Sequence, residues 1–280
     1  MPLSGVRLSV ALDTIGVSLG WWRESAVRLE AAGYDGIRCW DHFVRRAGPP
    51  KPVLECWTTI ATVAAVTQRV TIGPFVANVM NRHPALLARM AATLQEASGG
   101  RLVLGMGIGG FAGEHAAYGM PYPAIPERIA RLEEAIGVLR ALWTGEFVSR
   151  DARFYPLRDA VALPAPNPPP PIVVGGQSAT GARLAAGLAD GWACRPDQLE
   201  RLLPVFLDAL AAKGRSRSEV SVTIGYENGR SGEDALTGSA WIGAQSEEAA
   251  RWRERGVDEV VLLARTSVDV DRLVAAAERR

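Results

Sequence analysis

The sequence predicts an α/β fold: a single (β/α)8 TIM barrel over residues 1–280, with insertions after some of its strands. Three observations carry that expectation. Short β-branched runs alternate with longer stretches of helical periodicity, the pattern of repeated βα units feeding a parallel sheet. The runs number eight, the count that closes such a sheet into a barrel. The length, 280 residues, suits one large α/β domain of this kind.

In chain order the predicted strands are VRLSVAL (6–12), GIRCW (36–40), RVTIGPFV (69–76), RLVLGM (101–106), PIVVGG (171–176), GWACR (191–195), VSVTIGY (220–226) and DEVVLLA (258–264). Helical segments include WWRESAVRLEAAG (21–33), PALLARMAATLQEASGG (84–100) and PERIARLEEAIGVLRALWTG (126–145). Pro84 and Pro126 sit in first turns, where the missing N–H goes unnoticed, and Gly33, Gly99 and Gly145 sit where a left-handed C-cap needs no Cβ. Two stretches break the rhythm. Residues 145–171 are polar and proline-rich and read as a small hairpin followed by a polyproline-like lead-in to strand five. Residues 225–243 form a long glycine-rich excursion after strand seven, on the face where loops become lids or substrate walls.

Composition excludes several classes of function. Apolar residues make up 48% and charged residues 22%, as in ordinary globular proteins. A net charge of +1 from 31 basic and 30 acidic side chains, with no basic stripe, argues against nucleic acid. Cys39, Cys56 and Cys194 are odd in number and lack CxxC spacing, so a disulfide framework and a zinc site are both disfavoured and a reducing cytoplasm is expected. The N-terminus carries no charged region followed by a long apolar one, and no run approaches 18 apolar residues, so neither targeting nor membrane insertion is expected. Three histidines, His42, His83 and His115, without an HExxH pattern, predict no metal site.

GMGIGG (105–110) matches GxGxxG after a strand, yet a Rossmann site should open a helix at once, and here a long proline-containing loop follows. Two readings of its glycines stay open together: they let the strand bend at a crowded rim, or they let a flat ligand lie against the backbone. VVGGQSATGARLAAGLADGW (173–192) reads as an anion site. Gly175 and Gly176 would let backbone N–H groups converge, and Gln177 and Ser178 precede a helix whose unsatisfied donors and macrodipole favour a phosphate. Ser178 is equally explained as a plain N-cap.

Asp41 and His42, in CWDHF, end strand two on the face where catalytic residues of a barrel sit. Histidine exchanges protons near neutral pH, which makes His42 the leading acid–base candidate. His83 reads as structural, beside the helix-opening Pro84, and Arg82 as the partner of a carboxylate. Glu114 and His115, in GGFAGEHAAYG, are further candidates near the mouth.

LEAAGYDGIRCWDHF, RVTIGPFVANVMNRHPALLARMAATLQEASGGRLVLGMGIG, RIARLEEAIGVLRALWTGE and PPPPIVVGGQSATGARLAAGLADGW, in this order and spacing, cover nearly the whole chain. Together they resemble the bacterial-luciferase-like flavin and deazaflavin enzymes, in the branch of luciferase-like-monooxygenase-class F420-dependent oxidoreductases. The resemblance implies a non-prolyl cis peptide at Phe75-Val76 that supports the cofactor ring from behind, with Asn78 and Gly107 lining the ring. It implies a phosphate turn at Gly175, Gly176, Gln177 and Ser178. It also implies that the Asp41-His42 pair contacts the deazaflavin and handles a substrate proton, with Asp41 as orienter of His42 or as a ring contact. Two positions depart from the pattern. Gly110 stands where some relatives carry a glutamate general acid, for which Glu114 is a substitute, and Val79 replaces a frequent proline.

The implied function is hydride transfer between the C5 of F420 and a small organic substrate. Two alternatives accompany it: an FMN-dependent monooxygenase of the same fold, fed by a partner reductase, and a non-catalytic F420- or flavin-binding protein. The resemblance also implies a homodimer. The apolar helices at 54–66 and 84–94 are candidate interface elements, or they pack on the barrel.

Overall fold

A computed structural model describes residues 5–225 and 247–277. The elements run β1 (Arg7–Leu12), α1 (Leu19–Ala31), β2 (Gly36–Cys39), α2 (Cys56–Ala64), β3 (Thr71–Pro74), β4 (Ala77–Asn78), α3 (Pro84–Ala97) and β5 (Leu104–Gly107). They continue with α4 (Ala112–Ala117), α5 (Ile125–Leu142), β6 (Val148–Arg150), β7 (Leu157–Ala160), β8 (Ile172–Gly175), α6 (Ala179–Leu188), β9 (Gly191–Cys194) and α7 (Pro196–Ala212). The last are β10 (Ser221–Gly225), α8 (Glu247–Glu254), β11 (Glu259–Ala264) and α9 (Ser267–Ala277).

The main sheet is parallel in the order β3-β2-β1-β11-β10-β9-β8-β5-β4. Because β3 and β4 are the two halves of one barrel strand, on either side of Phe75-Val76, this order is a ring of eight positions. A bridge between Ile72 and Leu102 completes it. The eight predicted strands are therefore all present, the third split in two. Alternation along the strands sorts their side chains. Val10 and Leu12 join the layer between sheet and helices, whereas Ser9 and Ala11 face the lumen.

The long helices α1, α2, α3, α5, α6, α7 and α9 cover that outer layer with buried apolar side chains. On α5 these are Leu132, Ala135, Ile136, Leu139 and Leu142, all buried at i, i+3, i+4 spacing. Full burial of each large aliphatic side chain is worth about 1.5–3 kcal/mol. Gly33, Gly99 and Gly145 do follow helix ends with φ of +88°, +64° and +76°. His83 caps α3, its Nδ1 accepting from the Ala85 N–H. The apolar faces of α2 (Trp57, Ile60, Val63) and α3 (Leu87, Ala91, Leu94) are buried against the barrel within one chain.

At the base of the lumen Glu259 accepts from Arg38 Nη2 at 2.7 Å and from Ser9 Oγ at 2.6 Å, and Arg38 also reaches Thr71. This buried pair is closed from below by Arg7. Gly36 has no room for a side chain, since a Cβ would lie 2.4 Å from Ser9 Oγ.

The hairpin expected in 145–171 is β6-β7, antiparallel. The proline run after it is not a continuous polyproline helix, because Leu163-Pro164 and Asn167-Pro168 are cis. Of the glycine-rich excursion at 225–243, all but Gly225 lies outside the described residues. Among the described residues no helix is long and apolar enough to cross a membrane, and no group of three or more His, Cys, Asp or Glu is placed to hold a metal ion.

Candidate active site

The strand ends converge on a mouth whose floor is the Phe75-Val76 dipeptide, joined by a cis peptide bond. Val76 lies over β5 and β8. A Cβ on Gly107 would fall 2.7 Å from Val76 Cγ2, one on Gly105 3.0 Å from Cγ1, and one on Gly175 3.2 Å from Cγ2. Phe75 reaches the other way across the lumen, its Cε1 lying 2.5 Å from where a Gly225 Cβ would be. The glycines of GMGIGG thus receive the bulge of strand three, and Val76 occupies the space that Gly105 and Gly107 leave open. Gly109, at φ +76°, makes room for the Asn78 side chain in the same way. Contrary to the expectation of an uninterrupted loop, the six-residue helix α4 opens two residues after Gly110, and the proline-containing segment that leads to α5 follows it.

His42 and Asp41 face different partners. His42 Nδ1 lies 3.1 and 3.2 Å from the two Glu114 carboxylate oxygens, and Glu114 Oε2 also accepts from the Phe43 N–H. Glu114 is fully buried while the His42 side chain is 35% exposed, which leaves Nε2 as the nitrogen on the open side. Glu114 is therefore placed behind the histidine, and a role as a proton donor to substrate in place of Gly110 does not match its burial. Asp41 is not the orienter of His42. Its carboxylate accepts from Arg82 Nη1 at 2.8 and 3.0 Å, from Asn81 Nδ2 and from the Asn78 N–H, so it ties the end of β2 to the turn after β4. Arg82, expected to find a carboxylate, finds two, Asp41 and Glu55.

Asn78 is held from both ends. Its Oδ1 accepts from the Met80 N–H, so Nδ2 is the donor toward His115 Nε2 at 2.9 Å. That bond leaves the His115 proton on Nδ1. Burial pushes the His115 pKa below its ordinary value of 6.5, despite the neighbouring Glu114 charge, and favours the neutral ring. Tyr122 packs on His115 at 4.6 Å between centroids, and Arg128 fixes Tyr122 and the carbonyls of Ile108 and Gly109. The short α4 thus presents Glu114 to His42 and His115 to Asn78. Val79 donates its N–H to the Gly107 carbonyl, a bond that a proline at this position cannot make.

At the anion turn the Gly176 N–H donates to the Ala193 carbonyl and is therefore not a free donor, contrary to the expectation that both glycines open N–H groups. What Gly176 supplies is close approach: a Cβ there would lie 2.8 Å from the Gly181 backbone. Ser178 caps α6 through the Gly181 N–H, and Gln177 Oε1 accepts from the Arg195 N–H. Both side chains are exposed at the helix N-terminus.

Two features escaped the sequence reading. Trp40, on the lumen phase of β2, joins Phe75 over a separate apolar cluster of Ala11, Val261 and Leu263. Asp13, at the end of β1, is buried and 3.9 Å from Arg265 at the end of β11. Burial raises the Asp13 pKa above the usual carboxylate range, against the opposing effects of the Ile15 N–H and Arg265. The two-residue phase of the strands was the signal available for both.

The luciferase-like monooxygenase family model matches residues 5–227. The F420-dependent glucose-6-phosphate dehydrogenase of Beutenbergia cavernae is 34% identical over 206 residues, which cover 71% of this chain and 60% of that protein. The chain thus spans about 60% of the length of the curated relatives it matches. Among solved structures, an F420-dependent secondary alcohol dehydrogenase in complex with an F420-acetone adduct aligns with a TM-score of 0.81 at 20% identity, covering 97% of this chain and 98% of the other. The coenzyme F420 dependent tetrahydromethanopterin reductase of Methanopyrus kandleri aligns with a TM-score of 0.78 at 17% identity, covering 98% and 97%. These two show the same barrel. With the family model spanning the first seven barrel strands and the anion turn, this chain belongs to the luciferase-like monooxygenase family.

Proposed function

We propose that this chain is an oxidoreductase that uses F420 to move a hydride to or from a small organic substrate. The observation that carries the reading is His42 at the mouth, its Nδ1 held by the buried Glu114 and its other nitrogen on the open side. The names of the relatives supply the cofactor class.

The residues present fit such a cofactor. Val76 and Phe75 offer an apolar shelf, and Asn78 a fixed polar edge beside it. Asn81 Oδ1 is a buried acceptor without a protein partner beside Asp41. The α6 N-terminus with Gln177 and Ser178 suits a phosphate, and no acidic side chain lies within residues 175–180. When bound, F420 accepts or delivers the hydride at its C5. The protein orients the partners, excludes water and manages one proton. His42 Nε2 takes that proton from a substrate hydroxyl or returns it to a carbonyl oxygen, and Glu114 stabilises the imidazolium that forms. Asp41 acts on the fold of the site rather than on the proton.

Fluorescence titration with F420 and, separately, FMN tests the reading. Tight F420 and weak FMN binding, lost when Gly176 and Ser178 are replaced by glutamate, is the expected result. Preference for FMN would move the assignment to a monooxygenase supplied by a reductase, and binding without turnover on any acceptor would leave a carrier. A cytoplasmic location belongs to the same reading, supported by three buried free cysteines. So does a homodimer, which rests on the family likeness and is tested by light scattering.

A further inference from the structure

We infer that the site takes an acidic substrate, a 2-hydroxy carboxylate or its 2-oxo counterpart, and that Arg46 holds the carboxylate beside His42. The inference rests on the oxidoreductase reading above and names the substrate class of that site.

The segment that leaves β5 is held between two arginines. From α5, the buried Arg128 donates through Nη1 to the carbonyls of Ile108 and Gly109 and to the Tyr122 hydroxyl, and through Nε to the Pro123 carbonyl. From the loop after β2, the exposed Arg46 donates through Nη2 to the Gly110 carbonyl at 3.0 Å and lies 5.5 Å over the Phe111 ring. It also occupies the direction that Gly110 leaves open, since a Cβ there would lie 3.3 Å from Arg46 Nη2. Among the described residues neither arginine has a carboxylate partner. The same holds for Arg45, which donates to the Pro49 carbonyl, and for Lys51, which runs along Gly16. Other carboxylates of these loops are taken: Asp41 and Glu55 by Arg82, Asp13 by Arg265, and Asp197 by Arg195. Carbonyl oxygens satisfy the N–H groups of a buried cation but not its charge, and low-dielectric surroundings carry its field to the strand ends. Residues 108–111 therefore form an electropositive wall of the mouth.

That wall adjoins the acid–base group. His42 and Arg46 stand four residues apart in one loop and are fastened to Glu114 and Gly110, four residues apart in the facing segment. Phe43 completes the seam, its N–H on Glu114 and its ring 5.4 Å from that of Tyr118. Glu114 lies behind the His42 ring and bonds His42 and Phe43 rather than either arginine. A substrate oxygen at His42 Nε2 therefore has the Arg46 charge on the side of its neighbouring group. Such a cation selects an anion close to the reacting carbon. A carboxylate bonded directly to that carbon meets the condition, whereas the dianion of a sugar 6-phosphate lies at the far end of the carbon chain. Arg46 Nε and Nη1 make no hydrogen bond among the described residues, which leaves a planar edge for the two oxygens of a carboxylate. The carbon side chain of the substrate rests on Trp40 and Phe75 over Ala11, Val261 and Leu263. In oxidation of the hydroxy acid the carbinol C–H bond breaks, the hydride passes to the oxidised deazaflavin, the hydroxyl proton passes to His42 Nε2, and a C=O bond forms beside the unchanged carboxylate. The substrate loses two electrons and the deazaflavin gains them.

The test compares an acid with its uncharged counterpart. 2-Oxo-4-phenylbutanoate and 4-phenyl-2-butanone differ only in a carboxylate against a methyl group, and both are titrated by calorimetry into the protein with and without F420. Binding of the acid about tenfold tighter or more is expected, the size of a charge-assisted hydrogen bond. Arg46→Met should bring the two affinities within about threefold, while Arg46→Lys, which keeps the charge without the planar edge, should retain part of the preference. With F420 present, kcat/KM for 2-hydroxy-4-phenylbutanoate should exceed that for 4-phenyl-2-butanol by about 100-fold, and Arg46→Met should remove the difference mainly through KM. Equal affinities for acid and ketone in the wild type would overturn the inference, as would glucose 6-phosphate bound as tightly as the acid. So would Arg46→Met with an altered melting temperature or F420 affinity and an unchanged acid-to-ketone ratio, because Arg46 would then serve the fold or the cofactor. Failure to bind F420 would instead sink the oxidoreductase reading, and the titrations on cofactor-free protein would then decide this inference alone.

Discussion

The Glu114 carboxylate lies 3.1 Å from Nδ1 of His42, fully buried behind a ring that is itself one-third exposed. A buried anion there fixes the ring orientation and favours the imidazolium as it forms. Glu114→Gln keeps the size of the side chain and an acceptor for the Phe43 N–H but removes the charge. It is expected to lower kcat by about 10²-fold, the low end of general acid–base effects, with little change in F420 affinity. A fall in F420 affinity with unchanged kcat would assign Glu114 to the cofactor instead.

Arg82 neutralises a carboxylate at the heart of the site. Replacing it with methionine leaves Asp41 buried and unpaired, which costs about 3–5 kcal/mol when one partner of a buried pair is removed. Chemical denaturation should show that loss. Arg82→Met combined with Asp41→Asn should recover much of it, because the uncompensated charge is gone.

Gly176 and Gly187 lie in the same βα unit and predict opposite outcomes. A Cβ at Gly176 would meet the Gly181 backbone at 2.8 Å, so Gly176→Ala should destabilise by about 1–3 kcal/mol and weaken F420 binding at least tenfold. A Cβ at Gly187, inside α6, meets only Lys213 Cε at 3.7 Å, so Gly187→Ala should stabilise by about 0.4–1 kcal/mol and leave binding unchanged. Thermal melts and titrations of the two variants, read side by side, check both.

Stability should depend on pH through His115. Burial lowers its pKa from 6.5, so the folded state favours the neutral ring. The resulting stabilisation is fully present above pH 6.5 and is lost as pH falls from 6.5 through the lower folded value. Protonation would also set two donors, Nε2 and Asn78 Nδ2, against each other. Melting temperatures between pH 5 and 7.5 should fall on the acid side, and His115→Gln should flatten that limb.

Glu259 acts in a more acidic window. Burial opposes its charge, but Arg38, Arg7 and Ser9 outweigh that and hold its pKa below 4.5. Its contribution is present above pH 4.5 and lost as pH falls through the lower folded value. In acid unfolding, Glu259→Gln paired with Arg38→Met should remove that step.

Much of the framework was legible from residue order. Eight β-branched runs, helix-opening prolines and glycine C-caps are local signals, and the structure reproduces them with boundaries moved by a few residues. The N-cap at Ser178 and the carboxylate partner of Arg82 were legible for the same reason, since residue type and position suffice to state the bonding need. The partner of His42 was not. Asp41 adjoins it in sequence, yet successive strand residues point to opposite sides, and Glu114 arrives from 72 positions away. The Gly176 N–H was misjudged because the sheet ladder claims it before any ligand can.

The sequence by itself determined that the chain alternates strand and helix, that eight strands close a ring, and that the strand ends carry His42, the glycine turn and the Phe75-Val76 pair. These follow from periodicity and backbone preference, which act over a few residues. Only the tertiary structure decided that Val76 fills the space above Gly105, Gly107 and Gly175, that Phe75 spans the lumen to Gly225, and that Trp40 lies beside it over an apolar floor. Close packing joins side chains that are far apart in the chain, and hydrophobic pattern reports that a face is buried without naming what it is buried against.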